Sequence, residues 1–247
     1  MIITSRANKT AKLITSLSHK KYRDETGLFV VEGKRWVDDA LAYAPASVRT
    51  VIASPSCAEE YPSAVVFSDE LLSSVCETVT SQGVAAILEK PRPRAEIGEL
   101  ILFLDGIRDP GNLGTLIRTA CAAGFNDIFL RGCTDAYSGK AVRSTMSALL
   151  KINLRDGGID DLVRLKENGC TVVGADMSGK SLFELPAPRG KVCIVIGGEA
   201  DGITDEAAGQ CDVMSSIPMT GDIESLNAAV SGAIMMYETI RKRIFEK

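Results

Sequence analysis

Three stretches of this 247-residue chain place polar side chains directly after apolar runs. The first reads Asp105-Gly-Ile-Arg-Asp109-Pro-Gly-Asn112-Leu-Gly114-Thr-Leu-Ile-Arg118 and runs into a helical pattern. Gly111 and Gly114 permit close backbone approach to a ligand. Asn112 suits a helix cap and can both donate and accept through its amide. Arg118 offers a fixed cation for a phosphate or a forming alkoxide. The second stretch, Ile194-Val-Ile-Gly197-Gly198-Glu199-Ala200-Asp201-Gly202, takes an apolar run into glycines, with Glu199 at its exit. The third, Ile217-Pro-Met219-Thr-Gly221-Asp-Ile-Glu224-Ser225-Leu226-Asn227, is a loop closing on helix-start residues. Each stretch alone also fits a plain role as a turn, a glycine corner or a cap.

The residue inventory narrows the chemistry. His19 is the single histidine and sits in a basic segment, a poor setting for a general base, so Ser-His-Asp hydrolysis is disfavoured. Ser178-Gly179-Lys180 lacks the upstream glycine loop of a Walker phosphate site. The seven cysteines are scattered without a CxxC pair, which reads as reduced thiols in a cytosolic protein with no metal site. What remains is chemistry that depends on alignment and electrostatics. Methyl transfer from a sulfonium donor fits, because the donor carbon arrives already activated.

Two α/β alternations must position these residues. In the first, strands are predicted over 28–31, 48–52, 64–67 and 84–88, with helices over 7–17, 35–42 and 70–76. The run Lys90-Pro-Arg-Pro-Arg94 is the natural linker, since two prolines favour extended backbone. The second alternation has strands over 100–104, 127–130, 171–174, 192–196 and 213–217, and helices over 113–123, 160–167 and 226–244. Continuously apolar strands between helices imply a mostly parallel sheet covered on both faces. Sites in such sheets lie beyond the carboxyl ends of the strands, where the three polar stretches fall.

Net charge is −4, yet residues 1–23 carry Arg6, Lys9, Lys12, Lys20, Lys21 and Arg23 and no acid. A basic face on an acidic protein suits a polyanion, although it also fits a solvated terminal helix. No apolar run reaches membrane-spanning length and the N-terminus has no secretory h-region, so a cytoplasmic protein is expected.

The blocks DPGNLGTLIRTA, IVIGGEADG and IPMTGDIESLNAA resemble, in order and spacing, the three signature motifs of the SpoU (TrmH-type) RNA 2′-O-methyltransferases of the SPOUT superfamily. The stretch SRANKTAKLITSLSHKKYRDETGLFVVEGKRWVDDAL is similar to the substrate-binding domain of that family's ribosomal-RNA branch. The resemblance implies an α/β protein of two parts. A small ribosomal-protein-like RNA-binding domain would span 1–90, and a linker 91–98. A mostly parallel α/β domain with a deep trefoil knot would span 99–247. It further implies a homodimer that methylates RNA, ribosomal RNA foremost, with S-adenosylmethionine as cofactor. Gly197, Ile217, Met219, Leu226 and Asn227 would then hold the cofactor, and Asn112, Arg118, Glu199, Ser225 and Asn227 would form the catalytic set. The basic residues of 1–23 would meet RNA phosphates. Ala200 and Ser147 stand where relatives often have glycine. A catalytically silent RNA-binding or ribosome-assembly factor, and a transfer-RNA methyltransferase, remain alternatives. The N-terminal domain argues against the latter, since the simplest such enzymes lack one.

Overall fold

The computed structural model describes residues 1–78 and 80–245. Two compact units emerge: Met1–Pro91 with Asp135–Leu150, and Arg92–Thr134 with Lys151–Lys247. The segment 135–150, which the sequence reading assigns to the second domain, thus packs with the first unit.

In the first unit, α1 (Lys9–Leu17) starts at Asn8, whose side chain accepts the Thr10 amide at 2.8 Å. Then follow α2 (Lys20–Thr26), β1 (Leu28–Glu32), α3 (Lys34–Tyr43), β2 (Val48–Ala53), β3 (Val65–Val66), α4 (Asp69–Val75) and β4 (Val84–Glu89). The strands form one sheet in the order β1-β4-β2-β3, antiparallel except for the β2–β3 pair. Ala11, Ile14 and Leu17 of α1 bury against Ile52, Phe67, Leu71, Leu72 and Ile87.

In the second unit, β5 (Leu100–Asp105), α5 (Pro110–Ala123) and β6 (Asp127–Arg131) come first. Next in the chain is α6 (Gly139–Thr145), which belongs to the first unit. The second unit resumes with β7 (Asn153–Asp156), α7 (Ile159–Glu167), β8 (Thr171–Ser181), β9 (Val192–Gly197), α8 (Asp205–Ala208), β10 (Val213–Ser216) and α9 (Ala228–Phe245). Its six strands lie in the order β10-β8-β9-β5-β6-β7, and every neighbouring pair is parallel. The central β9 is buried along its whole length, as a doubly covered parallel strand must be. Phe103, Phe129, Leu162, Val172 and Val195 form one core cluster.

The helical pattern over 226–244 folds as α9. The face that packs inward is Ala228, Ala229, Gly232, Met235 and Met236, while Val230, Tyr237 and Ile244 are exposed. A Cβ on Gly232 would lie 2.4 Å from Leu116 Cδ2, so the small inner residues let α9 lie close against α5. Lys242 is buried too: its ammonium donates to the Leu182 carbonyl at 2.6 Å and to that of Leu185.

One basic residue is corrected by the fold. Arg23 is 4% exposed and faces inward. Its Nη1 donates to the carbonyls of Leu17 and Ser18 at 2.6 and 2.7 Å, and its Nη2 to Asp135 Oδ2 at 2.7 Å. A guanidinium so enclosed cannot reach a phosphate. It ties α2 to the 135–150 segment, which Trp36 Nε1 also holds by donating to the Val142 carbonyl at 3.2 Å. Arg6, Lys9, Lys12, Lys20 and Lys21 are exposed. Lys20 and Lys21 lean on Asp24 and Glu25 one turn on.

Met146 and Ser147 follow α6 with φ of 48° and 69°. For an L-residue the left-handed region costs about 1–2 kcal/mol, a cost that glycine at position 147 would not carry. The Ser147 hydroxyl is also buried without a hydrogen-bond partner among the described residues. Ser147→Gly should therefore raise stability by about 1 kcal/mol, the relieved strain and lost orphan hydroxyl exceeding the extra chain entropy of glycine. Urea titration of both proteins checks this, and a lowered midpoint in the variant contradicts it.

Candidate active site

All six parallel strands end at the same edge, and the three polar stretches leave from β5, β9 and β10 there. After Asp105 the chain turns at Gly106, with φ of +76°, and enters α5 through Asp109. Asp109, rather than Asn112, is the cap: its carboxylate accepts the Asn112 amide at 2.9 Å, with Pro110 at the first helical position. Asn112 thereby keeps its own side chain free to project from the first turn.

After Gly197 the chain doubles back on itself. Gly198 and Gly202 exchange backbone hydrogen bonds of 3.1 and 3.0 Å, which makes Glu199, Ala200 and Asp201 the tip of a minimal hairpin. A Cβ on Gly197 would sit 2.0 Å from the Gly202 carbonyl carbon, so only glycine fits there. A Cβ on Gly198 would meet the Gly106 carbonyl oxygen at 2.8 Å, which shows how tightly the hairpin lies on the β5 exit.

From Pro218 to Leu226 the chain forms no backbone–backbone hydrogen bond among the described residues. It ends at Asn227, whose Oδ1 accepts the amides of Ala229 and Val230 at 2.9 and 3.3 Å and so caps α9.

The three stretches meet in a triangle of side chains. Asn112 Nδ2 donates to Glu199 Oε1. Asn227 Nδ2 donates to Glu199 Oε1 at 3.0 Å and to Asn112 Oδ1 at 3.1 Å. Glu199 Oε2 has no protein partner among the described residues. A pocket of about 140 Å³ beside the triangle is lined by Gly106, Ile107, Arg108, Asp109 and the 198–201 tip.

Of the expected catalytic set, Asn112, Glu199 and Asn227 are joined. Arg118 is exposed on α5, six residues beyond Asn112, with no hydrogen bond or ion pair among the described residues. Ser225 is likewise exposed and outside the triangle. Gly197 is buried at the strand end, while Ile217, Met219 and Leu226 are half-buried along the unladdered loop. Asp105, which opens the first polar stretch, is linked at the base of the site to Arg131 and Thr204, which lie outside all three stretches. A lone carboxylate ending an apolar strand was the available signal. Cys133, also near the β5 exit, is no nucleophile: burial pushes its thiol up to about 11. No three His, Cys, Asp or Glu side chains are placed to hold a metal among the described residues.

Comparison with known proteins identifies the family. Residues 99–237 match the SpoU rRNA Methylase family, and residues 8–86 match the MRM3-like substrate binding domain. The chain belongs to the SpoU methylase family. It is 32% identical to the 23S rRNA (guanosine(2553)-2′-O)-methyltransferase RlmP of Bacillus subtilis, over 95% of this chain and 97% of that protein. It is 35% identical to the 23S rRNA (guanosine-2′-O-)-methyltransferase RlmB of Xanthomonas axonopodis, over 71% of this chain and 76% of that one. The crystal structure of the AdoMet-bound rRNA methyltransferase from Sinorhizobium meliloti superposes with a TM-score of 0.86 at 31% identity, covering 98% of this chain and 97% of that one.

Asn227 does two jobs that substitution can separate. Asn227→Ala should lower stability by about 1 kcal/mol through loss of the α9 cap. Asn227→Asp keeps an acceptor for the cap but sets a second carboxylate against Glu199, so it should hold stability better at pH 4 than at pH 8. Thermal melting at the two pH values reads both. Equal melting of Asn227→Ala and wild type denies the capping role.

Proposed function

We propose that this chain transfers the methyl group of S-adenosylmethionine to a ribose 2′-hydroxyl of RNA, with ribosomal RNA as its substrate. The observation that carries this reading is the Asn112–Glu199–Asn227 triangle at the carboxyl edge of the parallel sheet, next to the 218–226 loop, which forms no backbone–backbone hydrogen bond among the described residues. The named activities of the RlmP and RlmB relatives support the substrate, and the AdoMet-bound neighbour supports the cofactor.

The residues fit that cofactor. The free amides and carbonyls of 218–226 can recognise a purine edge and a ribose. Gly197, Ile217, Met219 and Leu226 offer backbone and apolar surface, and Asn227 closes the end of the loop. S-adenosylmethionine supplies a methyl carbon activated by its sulfonium. The protein's share is alignment, which can supply ~7–11 kcal/mol of such a barrier. Two amides hold Glu199 through Oε1, so Oε2 would accept a hydrogen bond from the ribose hydroxyl, fix its direction, and take its proton as the new O–C bond forms and the S–C bond to the sulfonium breaks, releasing a neutral thioether. Arg118 presents a planar cationic fork that stabilises the negative charge developing on the ribose oxygen and grips an adjacent phosphate. Ser225 completes the polar rim. In the first unit, Lys9 and Lys12 have no acidic partner among the described residues and are the strongest phosphate contacts, with Arg6, Lys20 and Lys21 beside them.

Three further features belong to the same reading. The second unit is threaded as a trefoil knot, supported by family membership and the all-parallel strand order. The protein works in the cytoplasm, where its RNA is found. It acts as a homodimer joined through the outer stripe of α9: Val230, Tyr237 and Ile244 recur every seven residues, and Tyr237 is 52% exposed. Apolar residues so aligned on a helix whose other face is already packed call for a partner surface.

Incubation of wild type with ribosomal RNA and methyl-labelled S-adenosylmethionine should yield one 2′-O-methylated nucleotide. Arg118→Lys should lower kcat by about 10²–10³-fold with cofactor affinity unchanged. Label transfer to no RNA refutes the enzymatic reading, and near-normal turnover in Arg118→Lys refutes the arginine's role. Tyr237→Glu should shift the protein from dimer to monomer in sedimentation equilibrium, whereas an unaltered mass removes α9 from the interface.

A further inference from the structure

Asp105 lies at the carboxyl end of β5 and is 2% exposed. A carboxylate buried to that degree must be paired and hydrogen-bonded to be tolerated. Its Oδ1 accepts from Arg131 Nη1 at 2.8 Å. Its Oδ2 accepts from the Thr204 backbone amide at 2.9 Å and from the Thr204 hydroxyl at 2.7 Å. Arg131, the last residue of β6, also donates from Nη1 to Thr204 Oγ1 at 2.8 Å and pairs outward with Glu206.

The sheet register gives this cluster its meaning. Asp105 is aligned with Gly197 of β9 on one side and with Arg131 of β6 on the other. Gly197 is where the Glu199 hairpin departs, and Thr204 is where it returns. Both feet of the loop that carries Glu199 therefore stand on Asp105. One is held by the ladder and the other by two hydrogen bonds to a single carboxylate oxygen. The segment that brings Asn112 to the triangle starts from the same residue, with Gly106 bonded to the Arg131 carbonyl at 2.8 Å.

We infer that Asp105 and Thr204 are positioning residues for Glu199, fixing its carboxylate against Asn112 and Asn227 without touching substrate or cofactor. This rests on the proposed methyl transfer for its kinetic consequence, but its structural content does not. Thr204 is the informative member. Its hydroxyl donates to Asp105 and accepts from Arg131 at 2.8 Å, binding both members of the cluster, whereas its acceptance of the Ala207 amide at 3.4 Å only starts the short α8. Valine at 204 keeps the shape and loses the hydroxyl. Serine keeps the hydroxyl and loses a methyl.

The test uses the full chain in wild-type, Thr204→Val, Thr204→Ser and Asp105→Asn forms, each confirmed folded by circular dichroism at the assay temperature. Amide hydrogen exchange at Gly198 and Gly202 reports the hairpin directly. Thr204→Val should speed that exchange by about tenfold while leaving α5 protected. It should lower kcat by about 10- to 100-fold, the scale of an ångström misplacement. Its S-adenosylmethionine Kd should stay within about twofold, the mark of lost alignment and not of lost cofactor binding. Thr204→Ser should restore both exchange and kcat, and Asp105→Asn should follow Thr204→Val. Wild-type exchange in both Thr204→Val and Asp105→Asn overturns the inference whatever their activity. So does a fall in cofactor affinity that matches the fall in kcat. Should wild type methylate no RNA, the functional reading fails while the exchange measurement still decides whether Asp105 and Thr204 hold the hairpin.

Discussion

The in-register pairing of β5 with β9 is the contact on which the site depends. Parallel neighbours that end together deliver their following loops to the same place, and here Asp105 and Gly197 are the last aligned pair. One residue of slippage would move a loop by roughly 3.3 Å and reverse the facing of every side chain in the strand. The register is secured by burial on both faces, since β9 has no solvent-facing side to which a slipped strand could turn. Asn112 and Glu199 are 87 residues apart along the chain, yet their adjacency follows from this pairing.

The third vertex depends on helix packing instead of sheet register. Asn227 begins α9, so its position is set by how α9 lies on the sheet and on α5. Small residues on the inner face permit the close approach, and a Cβ on Gly232 would collide with Leu116. At the far end Lys242 is drawn inward to two carbonyls, fixing the other end of the same rod. A helix anchored at both ends leaves its cap little freedom. That suits an amide which must reach Glu199 and Asn112 while also satisfying the first amides of α9. The Glu199 hairpin gains its rigidity differently, from glycines pressed against backbone and from the buried Asp105 carboxylate beneath it.

The first unit uses charge in two ways. Arg23 and Asp135 form a nearly solvent-free pair that attaches a distant segment of the chain to the small sheet. Arg6, Lys9 and Lys12 stay on the surface around α1. With Arg23 turned inward, the proposed phosphate contacts of this unit centre on α1 and its approach.

The sequence by itself determined the elements and the cast of the site. Apolar runs marked β5 and β9 because strands buried on both faces must be apolar throughout. Glycine, asparagine and glutamate after them marked the loops because few other residues suit tight turns that also carry polar groups. Some elements were not legible: α6, β7 and α8 are short, and α2 is uniformly polar, so none has a periodicity to read. Tertiary structure alone decided the rest. Whether Arg23 faced water or Asp135 depended on a partner 112 residues away. Which face of α9 turned inward could not be told from hydropathy, since both faces are apolar and only the fit of Gly232 against α5 discriminates. Asp105 looked like an ordinary strand end until the register placed Gly197 and Arg131 on either side of it. Local patterns fix what a segment becomes, because they act through the chain's own geometry. Contacts between segments decide which side chains are shared, because those depend on distances that no single stretch encodes.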